Sequence, residues 1–211
     1  MNKLQYLVDL YKNKLGDTAK IIFEIGSRDG KDAKFLSDNL NSEFVYIFEA
    51  NPDCHSLIQE TYPQFNNIYG AISNYQGEST FNMVVSSDWE AVGTSSLKNR
   101  NDNWYEDKSK KINVPVNTIE NFMEDQGISE MIDLVKIDTE GCSFEVLEGF
   151  GKKINHVKLF HIENETFAYW EGQKLANEVG EFLSKKGFLP IHSYNFGENS
   201  VDEVWINGNI V

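Results

Sequence analysis

Three segments of the chain share one construction: Phe23-Glu24-Ile25-Gly26-Ser27-Arg28-Asp29-Gly30, Tyr46-Ile47-Phe48-Glu49-Ala50-Asn51-Pro52 and Asp133-Leu134-Val135-Lys136-Ile137-Asp138-Thr139-Glu140-Gly141. Each is a short apolar run that ends in an acid at a turn. Runs of this kind read as strands of a parallel sheet buried on both faces. In open α/β sheets, ligands bind outside the carboxyl ends of such strands. The pattern therefore predicts that Glu24, Glu49, Asp138 and Glu140 meet at one crevice.

The rest of the sequence alternates in the same way. Ile21 to Ile25 reads as a strand and Lys31 to Leu40 as a helix; Phe44 to Phe48 is a strand, with a helix opening at Pro52, a favoured first-turn residue. Short strands follow at Phe65 to Tyr69, Phe81 to Val85 and Ile112 to Val116. A polar stretch, 86–111, separates the last two and is long enough to be a lid or substrate loop. Thr118 is placed to cap a helix. Ile132 to Ile137 is a strand, Phe144 to Phe150 a helix and Val157 to Ile162 a strand. A helix with Leu175, Val179, Phe182 and Leu183 on one face ends near Gly187. The short connection between Phe188–Ile191 and Val204–Ile206 makes those two strands antiparallel. Alternation of this type is α/β, a doubly wound sheet with helices on both faces.

With 211 residues, residues 1–211 suit one sizeable domain. Leu4, Leu7, Val8, Tyr11 and Leu15 fall at helical spacing, so residues 1–18 are expected to form a docked amphipathic helix rather than a leader. Mean hydropathy is −0.45, and no apolar run approaches the ~18 residues of a membrane span. The net charge of −14 repels phosphate backbones, which argues against nucleic-acid partners. The basic patch from Lys108 to Lys111 reads as solvated loop. Cys54 and Cys142, the only cysteines, fit a reducing cytoplasmic setting. The Asn164-Glu165-Thr166 sequon has no force without secretion.

The first glycine turn narrows the choice of cofactor. Dinucleotide sites use G-x-G-x-x-G, whose glycines admit a pyrophosphate to the backbone. Here Arg28 stands at the second glycine position and Lys31 at the third, so the turn suits a cofactor without phosphates better than NAD. Glu49, at the end of the second strand, can accept both ribose hydroxyls. That feature serves NAD and S-adenosylmethionine alike; the bland reading of Glu49 is a solvated strand end, and of Glu24 a charge capping a helix amide.

These segments resemble the FkbM-type family of S-adenosylmethionine-dependent methyltransferases. The resemblance rests on Glu24-Ile25-Gly26-Ser27-Arg28-Asp29-Gly30, on Phe48-Glu49-Ala50-Asn51-Pro52, and above all on Val135-Lys136-Ile137-Asp138-Thr139-Glu140-Gly141 continued by Glu145, Leu147, Glu148 and Gly149. Gly93-Thr94-Ser95-Ser96-Leu97 and Val116-Asn117-Thr118-Ile119 add to it. The resemblance implies a class I methyltransferase (Rossmann-like) sheet, mostly parallel, whose last strand is antiparallel. It implies that Glu24, Gly26, Ser27 and Gly30 lie at the methionine end of the cofactor, with Glu49, Ala50 and Asn51 at its ribose. It also implies a small-molecule acceptor, a sugar or other metabolite methylated on a hydroxyl. The charged pair Arg28-Asp29 departs from many relatives.

A hydroxyl is a poor nucleophile until it loses its proton, so a base or a metal must assist. Asp138, Glu140, His161 and Glu163 are the candidates at adjacent strand ends, with Asp138 also touching the cofactor. His161 is expected to be the base, and Asp138 and Glu140 to organise the reacting end. Asp138, Glu140 and Glu163 together suit Mg²⁺ or another hard divalent cation. The plain alternatives are that Asp138 and Glu140 cap the helix before Cys142 and that His161 is a structural hydrogen-bonding residue. Lys136, within an apolar run, reads as neutralising the acids. Trp89, Trp104 and Tyr105, among Thr94, Ser95, Ser96, Asn101 and Asn103, suit a sugar-like acceptor; Tyr169 and Trp170 could wall the same pocket. Two rivals stand: an NAD-dependent oxidoreductase, and a cofactor-binding module without turnover.

Overall fold

The structure is a computed structural model and describes residues 4–102, 108–196 and 199–210. Its centre is a seven-stranded sheet of β1 (Ile21–Ile25), β2 (Phe44–Glu49), β3 (Asn66–Tyr69), β7 (Ile132–Ile137), β8 (Val157–Glu165), β9 (Phe188–Phe196) and β10 (Ser200–Asn207). The spatial order is β3-β2-β1-β7-β8-β10-β9. β10, last in the chain, runs antiparallel to both neighbours, and the other pairings are parallel. This is the class I methyltransferase sheet, with its switch point between β1 and β7.

Strand periodicity divides the core between two faces. Ile21, Phe23 and Ile25 point to one, where Phe48, Phe122, Val135, Phe150 and Phe160 pack under α5 (Ile119–Asp125), α6 (Ser143–Glu148) and α7 (Ala176–Lys185). Ile22 points to the other, with Leu134, Leu159 and Val204 under α1 (Gln5–Leu15), α2 (Lys31–Leu40) and α3 (Pro52–Thr61). Glu24, Lys136 and His161 lie two residues further along β1, β7 and β8, on that same second face. Leu4, Leu7, Val8 and Tyr11 are all buried, so the expected N-terminal helix is a docked part of the core.

A second sheet was not legible as such. β4 (Ala71–Ile72), β5 (Gly77–Val84) and β6 (Ser109–Asn117) form it in the order β4-β6-β5. β6 begins earlier than expected, so Lys110 and Lys111 sit exposed on a strand instead of in a loop. The stretch expected as a lid is partly ordered: α4 (Trp89–Val92) is capped by Asp88, and Ser96 bridges Asn82 of β5. Asn103, Trp104 and Tyr105 lie outside the described residues. Thr118 caps α5, accepting from Asn121 N at 3.1 Å. The helix expected to reach Phe150 ends at Glu148, and a 3-10 turn follows over Gly151–His156. Among the described residues no helix is long and apolar enough to cross a membrane.

Candidate active site

At the carboxyl ends of β1, β2, β7 and β8 lies a crevice of about 320 Å³. Its floor is the turn after β1. Gly26 has φ +78°, and a Cβ there would stand 2.1 Å from the carbonyl oxygen of Asp138. Only glycine lets β1 and β7 approach so closely at their ends. Ser27 and Arg28 continue the floor, and Arg28 itself is left-handed at φ 59°.

Glu49 organises this turn. One carboxylate oxygen accepts from Ser27 N at 3.1 Å and Arg28 N at 2.8 Å, and the other from Asn51 N at 2.7 Å. Burial raises its carboxyl above the ordinary range, and the amides of Asn51, Arg28 and Ser27 oppose that rise. The acid expected at a ribose is thus also the clamp that shapes the glycine turn. Asn51 caps α3 through its side-chain oxygen, 3.0 Å from Asp53 N. Its Nδ2 is buried without a hydrogen-bond partner, and the residue lines the crevice beside Ala50. An orphaned donor there fits a ligand that brings an acceptor oxygen or nitrogen.

Two residues expected in the cofactor site stand behind it. Glu24 is fully buried and does not line the crevice; its Oε2 accepts from Ser27 Oγ at 2.6 Å and Ala33 N at 3.2 Å. It braces the turn and the first turn of α2, as its helix-capping reading has it. Gly30, at φ +72°, is also outside the lining; a Cβ there would lie 2.8 Å from the Tyr62 ring. Its glycine is required by packing against α3.

The acidic end is arranged around one buried cation. Lys136 Nζ lies 2.8 Å from Asp138 Oδ2, 3.3 Å from Asp32 Oδ2 and 3.9 Å from Glu24 Oε1. Burial works against its charge, yet Asp138, Asp32 and Glu24 together raise it well above the usual lysine value. The neutralising role expected of Lys136 is what its geometry provides. Burial, with Lys136 opposing, pushes Glu24 up to about 8. Burial and the charges of Asp138, Glu163 and Glu165 hold Glu140 well above the carboxylate range, with Arg100 opposing. Asp138, Glu140 and Glu163 all line the crevice.

His161 does not line it. The strand expected to stop at Ile162 runs on to Glu165, which leaves His161 deeper, under α1. Its ring is 2% exposed, with Nε2 2.7 Å from the Tyr6 hydroxyl and 3.9 Å from Asp202 Oδ2. The residue expected as the base therefore lies outside the crevice lining, in the position of its structural alternative. The expected cation site is not supported either: among the described residues no three His, Cys, Asp or Glu side chains converge in ligating geometry. Lys136 already supplies the positive charge at Asp138.

Neither Asp138 nor Glu140 caps α6, whose N-cap is Cys142. Cys142 is buried, and burial pushes its thiol to about 12, so it is a packed side chain. From the loop, Val92, Gly93, Ser95, Ser96 and Leu97 wall the crevice, whereas Trp89 stands outside the lining with its Nε1 3.4 Å from Asp29. Arg28 ties α4 to the glycine turn through Glu90 at 2.7 Å, and so anchors the wall. Trp170 packs against Gly141, and Arg100 stacks over both Tyr169 and Trp170. The apolar wall of Phe48, Ala71, Ile72 and Phe81 was missed; the second sheet supplies three of the four, and only the short apolar step after Gly70 hinted at it.

The methyltransferase FkbM domain matches residues 24–190. The chain belongs to the FkbM methyltransferase family. No curated protein matches the sequence significantly. Among solved structures, the fold of this FkbM domain is similar to the METTL16 methyltransferase domain, at TM-score 0.54 and 10% identity over 98% of this chain and 67% of that one. It is also similar to an uncharacterized protein from Listeria monocytogenes serotype 4b, at TM-score 0.53, 12% identity and coverage of 98% and 67%. A protein of the NADB-Rossmann superfamily from Streptococcus agalactiae matches at TM-score 0.52 and 12% identity, covering 98% and 70%. These likenesses concern the fold; the family is carried by the sequence match.

Proposed function

We propose that this chain binds S-adenosylmethionine in the crevice and transfers its methyl group to a hydroxyl of a sugar or other small metabolite. The observation that carries the reading is the crevice itself, with the Glu49-clamped glycine turn at one end and crowded acids at the other. The residues fit the cofactor: Gly26 allows close approach, Asn51 Nδ2 offers a buried donor, and Glu49 sits where a ribose is expected. The cofactor supplies an activated methyl on a sulfonium; transfer forms the oxygen–methyl bond and leaves the electron pair of the broken sulfur–methyl bond on sulfur. The chain's residues bind, orient and exclude water, and alignment of the reactants contributes about 7–11 kcal/mol in favourable cases.

Two features argue against NAD as the ligand. Arg28 occupies the place where a pyrophosphate needs glycine, and the far end of the crevice is acidic. The two buried free cysteines suit a reducing compartment, and we place the chain in the cytoplasm on that basis. Calorimetric titration with S-adenosylhomocysteine, with NAD as control, tests the reading. Saturable binding of the former alone is the expected result. Binding of NAD alone would falsify it. Release of S-adenosylhomocysteine across a panel of methyl glycosides, with and without Mg²⁺, then tests the acceptor class; binding without release points to a silent module.

A further inference from the structure

Methyl transfer to a hydroxyl needs a group to take the proton, and the strand ends narrow the choice. His161 is sealed beneath Tyr6. Asp138 is held by Lys136 at 2.8 Å as its counter-ion. Glu140 lies beyond the strand, in the turn before α6, where its main-chain oxygen accepts from Ser96 Oγ at 2.6 Å. Glu163 is half-buried and lines the crevice together with Asp138.

The sheet register gives Glu163 an acid on each side. β10 runs antiparallel to β8 and sets Asp202 directly opposite it. Opposed residues of such a pair share a face, with Cβ atoms about 4.5–5.5 Å apart, and like charges there repel. On the other side β7 runs parallel, with Lys136 level with His161, so two residues further on Asp138 stands beside Glu163. Three acids thus meet side by side at the ends of β7, β8 and β10, and each raises the cost of ionising the others.

We propose that Glu163 is the base that accepts the acceptor's hydroxyl proton, and that Asp202 is a positioning residue that faces it from the opposite strand. The inference rests on the methyl-transfer reading above. The hydroxyl O–H bond breaks as the oxygen–methyl bond forms; the proton goes to a Glu163 carboxylate oxygen and afterwards to water. Lys136 faces Glu163 from β7, Asp138 and Glu140 from the turn after it, Asp202 from β10, Glu165 from its own strand and Tyr6 from α1; Asp32 of α2 acts through Lys136. Asp138 first, then burial and Asp202, raise the Glu163 carboxyl to about 8 against the pull of Lys136. A base whose pKa lies near the working pH is the most effective. Asp202 and Tyr6 both lie outside the residues that the family match covers.

Two measurements test this. Carbon-13 NMR of the glutamate carboxyls, with E163Q for assignment, reads the Glu163 midpoint without any acceptor. The expected midpoint is about 8, falling by roughly a pH unit in D202N because a like charge has been removed. A midpoint in the ordinary carboxylate range, or one that D202N leaves in place, overturns the proposal. In turnover of a methyl glycoside, E163Q is expected to lose on the order of 100-fold or more in kcat while its calorimetric affinity for S-adenosylhomocysteine stays at the wild-type value. E163D restores part of the rate, and D202N moves the acid limb of kcat/KM to lower pH. Wild-type turnover in E163Q overturns the base. Loss of S-adenosylhomocysteine binding by the wild type itself sinks the methyltransferase reading instead, so the two failures are distinct; the NMR measurement decides where no glycoside is methylated.

Discussion

The ammonium of Lys136 and the carboxylate of Asp138, two residues apart on one strand end, are bonded at 2.8 Å. Alternate residues of a strand point to the same face, so a lysine two places before an acid can turn to meet it at the mouth of the sheet. The same ammonium reaches Asp32 on α2 and Glu24 on β1. One buried cation thereby holds together three segments that border the crevice.

Lys136→Met should accordingly be severe. It leaves Asp138 and Asp32 without their shared counter-charge in a site where the lysine is 3% exposed. Breaking a buried ionic cluster by removing one partner costs about 3–5 kcal/mol. Urea unfolding should show a loss of that order; a loss below about 1 kcal/mol, typical of exposed pairs, would mean that the cluster contributes little.

Gly26→Ala should disable the crevice without touching any charge. The new Cβ would sit 2.1 Å from the Asp138 carbonyl oxygen at a φ of +78°, so the ends of β1 and β7 must separate or the turn must refold. The expected outcome is loss of measurable S-adenosylhomocysteine binding together with a lowered Tm. Unchanged affinity would show that the ligand does not lie on this turn.

Glu49→Gln retains size but replaces an oxygen acceptor with an amide donor. Ser27 N, Arg28 N and Asn51 N all point at that carboxylate, and at least one would face a donor. Charged hydrogen bonds are each worth about 1.5–3 kcal/mol, so cofactor affinity should fall at least about tenfold. Calorimetry reads it directly, and unchanged binding would remove Glu49 from both the clamp and the ribose site.

The acidic cluster sets the pH dependence of stability. Glu24 and Glu163 are raised to about 8 and Glu165 to about 7, from an ordinary value of 4.5 in the unfolded chain. A carboxyl raised in the folded state keeps a proton that the unfolded chain has released. Its contribution is complete below the unfolded pKa and is lost as pH rises through the folded one. Tm should therefore fall between about pH 5 and pH 8. Asp29 and Glu178 are shifted the other way and act only at more acid pH. A Tm that rises across that window would mean the three carboxyls are not held as the geometry indicates.

Tyr6→Phe removes the hydroxyl that meets His161 Nε2 at 2.7 Å and nothing else. The cost is expected at about 1 kcal/mol, plus the penalty of a buried ring nitrogen losing its partner. For a chain of this size that is a fall in Tm of about 2–4 °C or somewhat more, with S-adenosylhomocysteine affinity unaltered. A large loss of affinity would return His161 to the binding machinery.

Much of the sheet was legible because buried strands of a parallel sheet have few alternatives: Ile21–Ile25 and Ile132–Ile137 are apolar throughout apart from Glu24, Asp133 and Lys136, and each is closed by a glycine turn. α1 was legible from the spacing of Leu4, Leu7, Val8 and Tyr11. Glu24 and Gly30 do not line the crevice, and the sequence does not tell this apart, since an acid and a glycine at a cofactor-like turn look the same whether they touch a ligand or brace the turn from behind. His161 lies deeper than a strand ending at Ile162 would place it. Alternation put it correctly on the face of Glu163, but the strand continues to Glu165, and that depth hides the imidazole beneath a helix far away in sequence. The wall from the second sheet depends on β5 pairing with β6 across the polar stretch between them, and no local pattern records a partner at that distance.

The contact of Tyr6 with His161, and of His161 with Asp202, joins the first helix to the last strand over one imidazole. Both outer partners lie beyond the 24–190 span shared with the family, while the imidazole lies inside it. The opening helix and the closing strand are therefore tied to each other through a residue of the sheet between them, and a change in either is felt by the other through that ring.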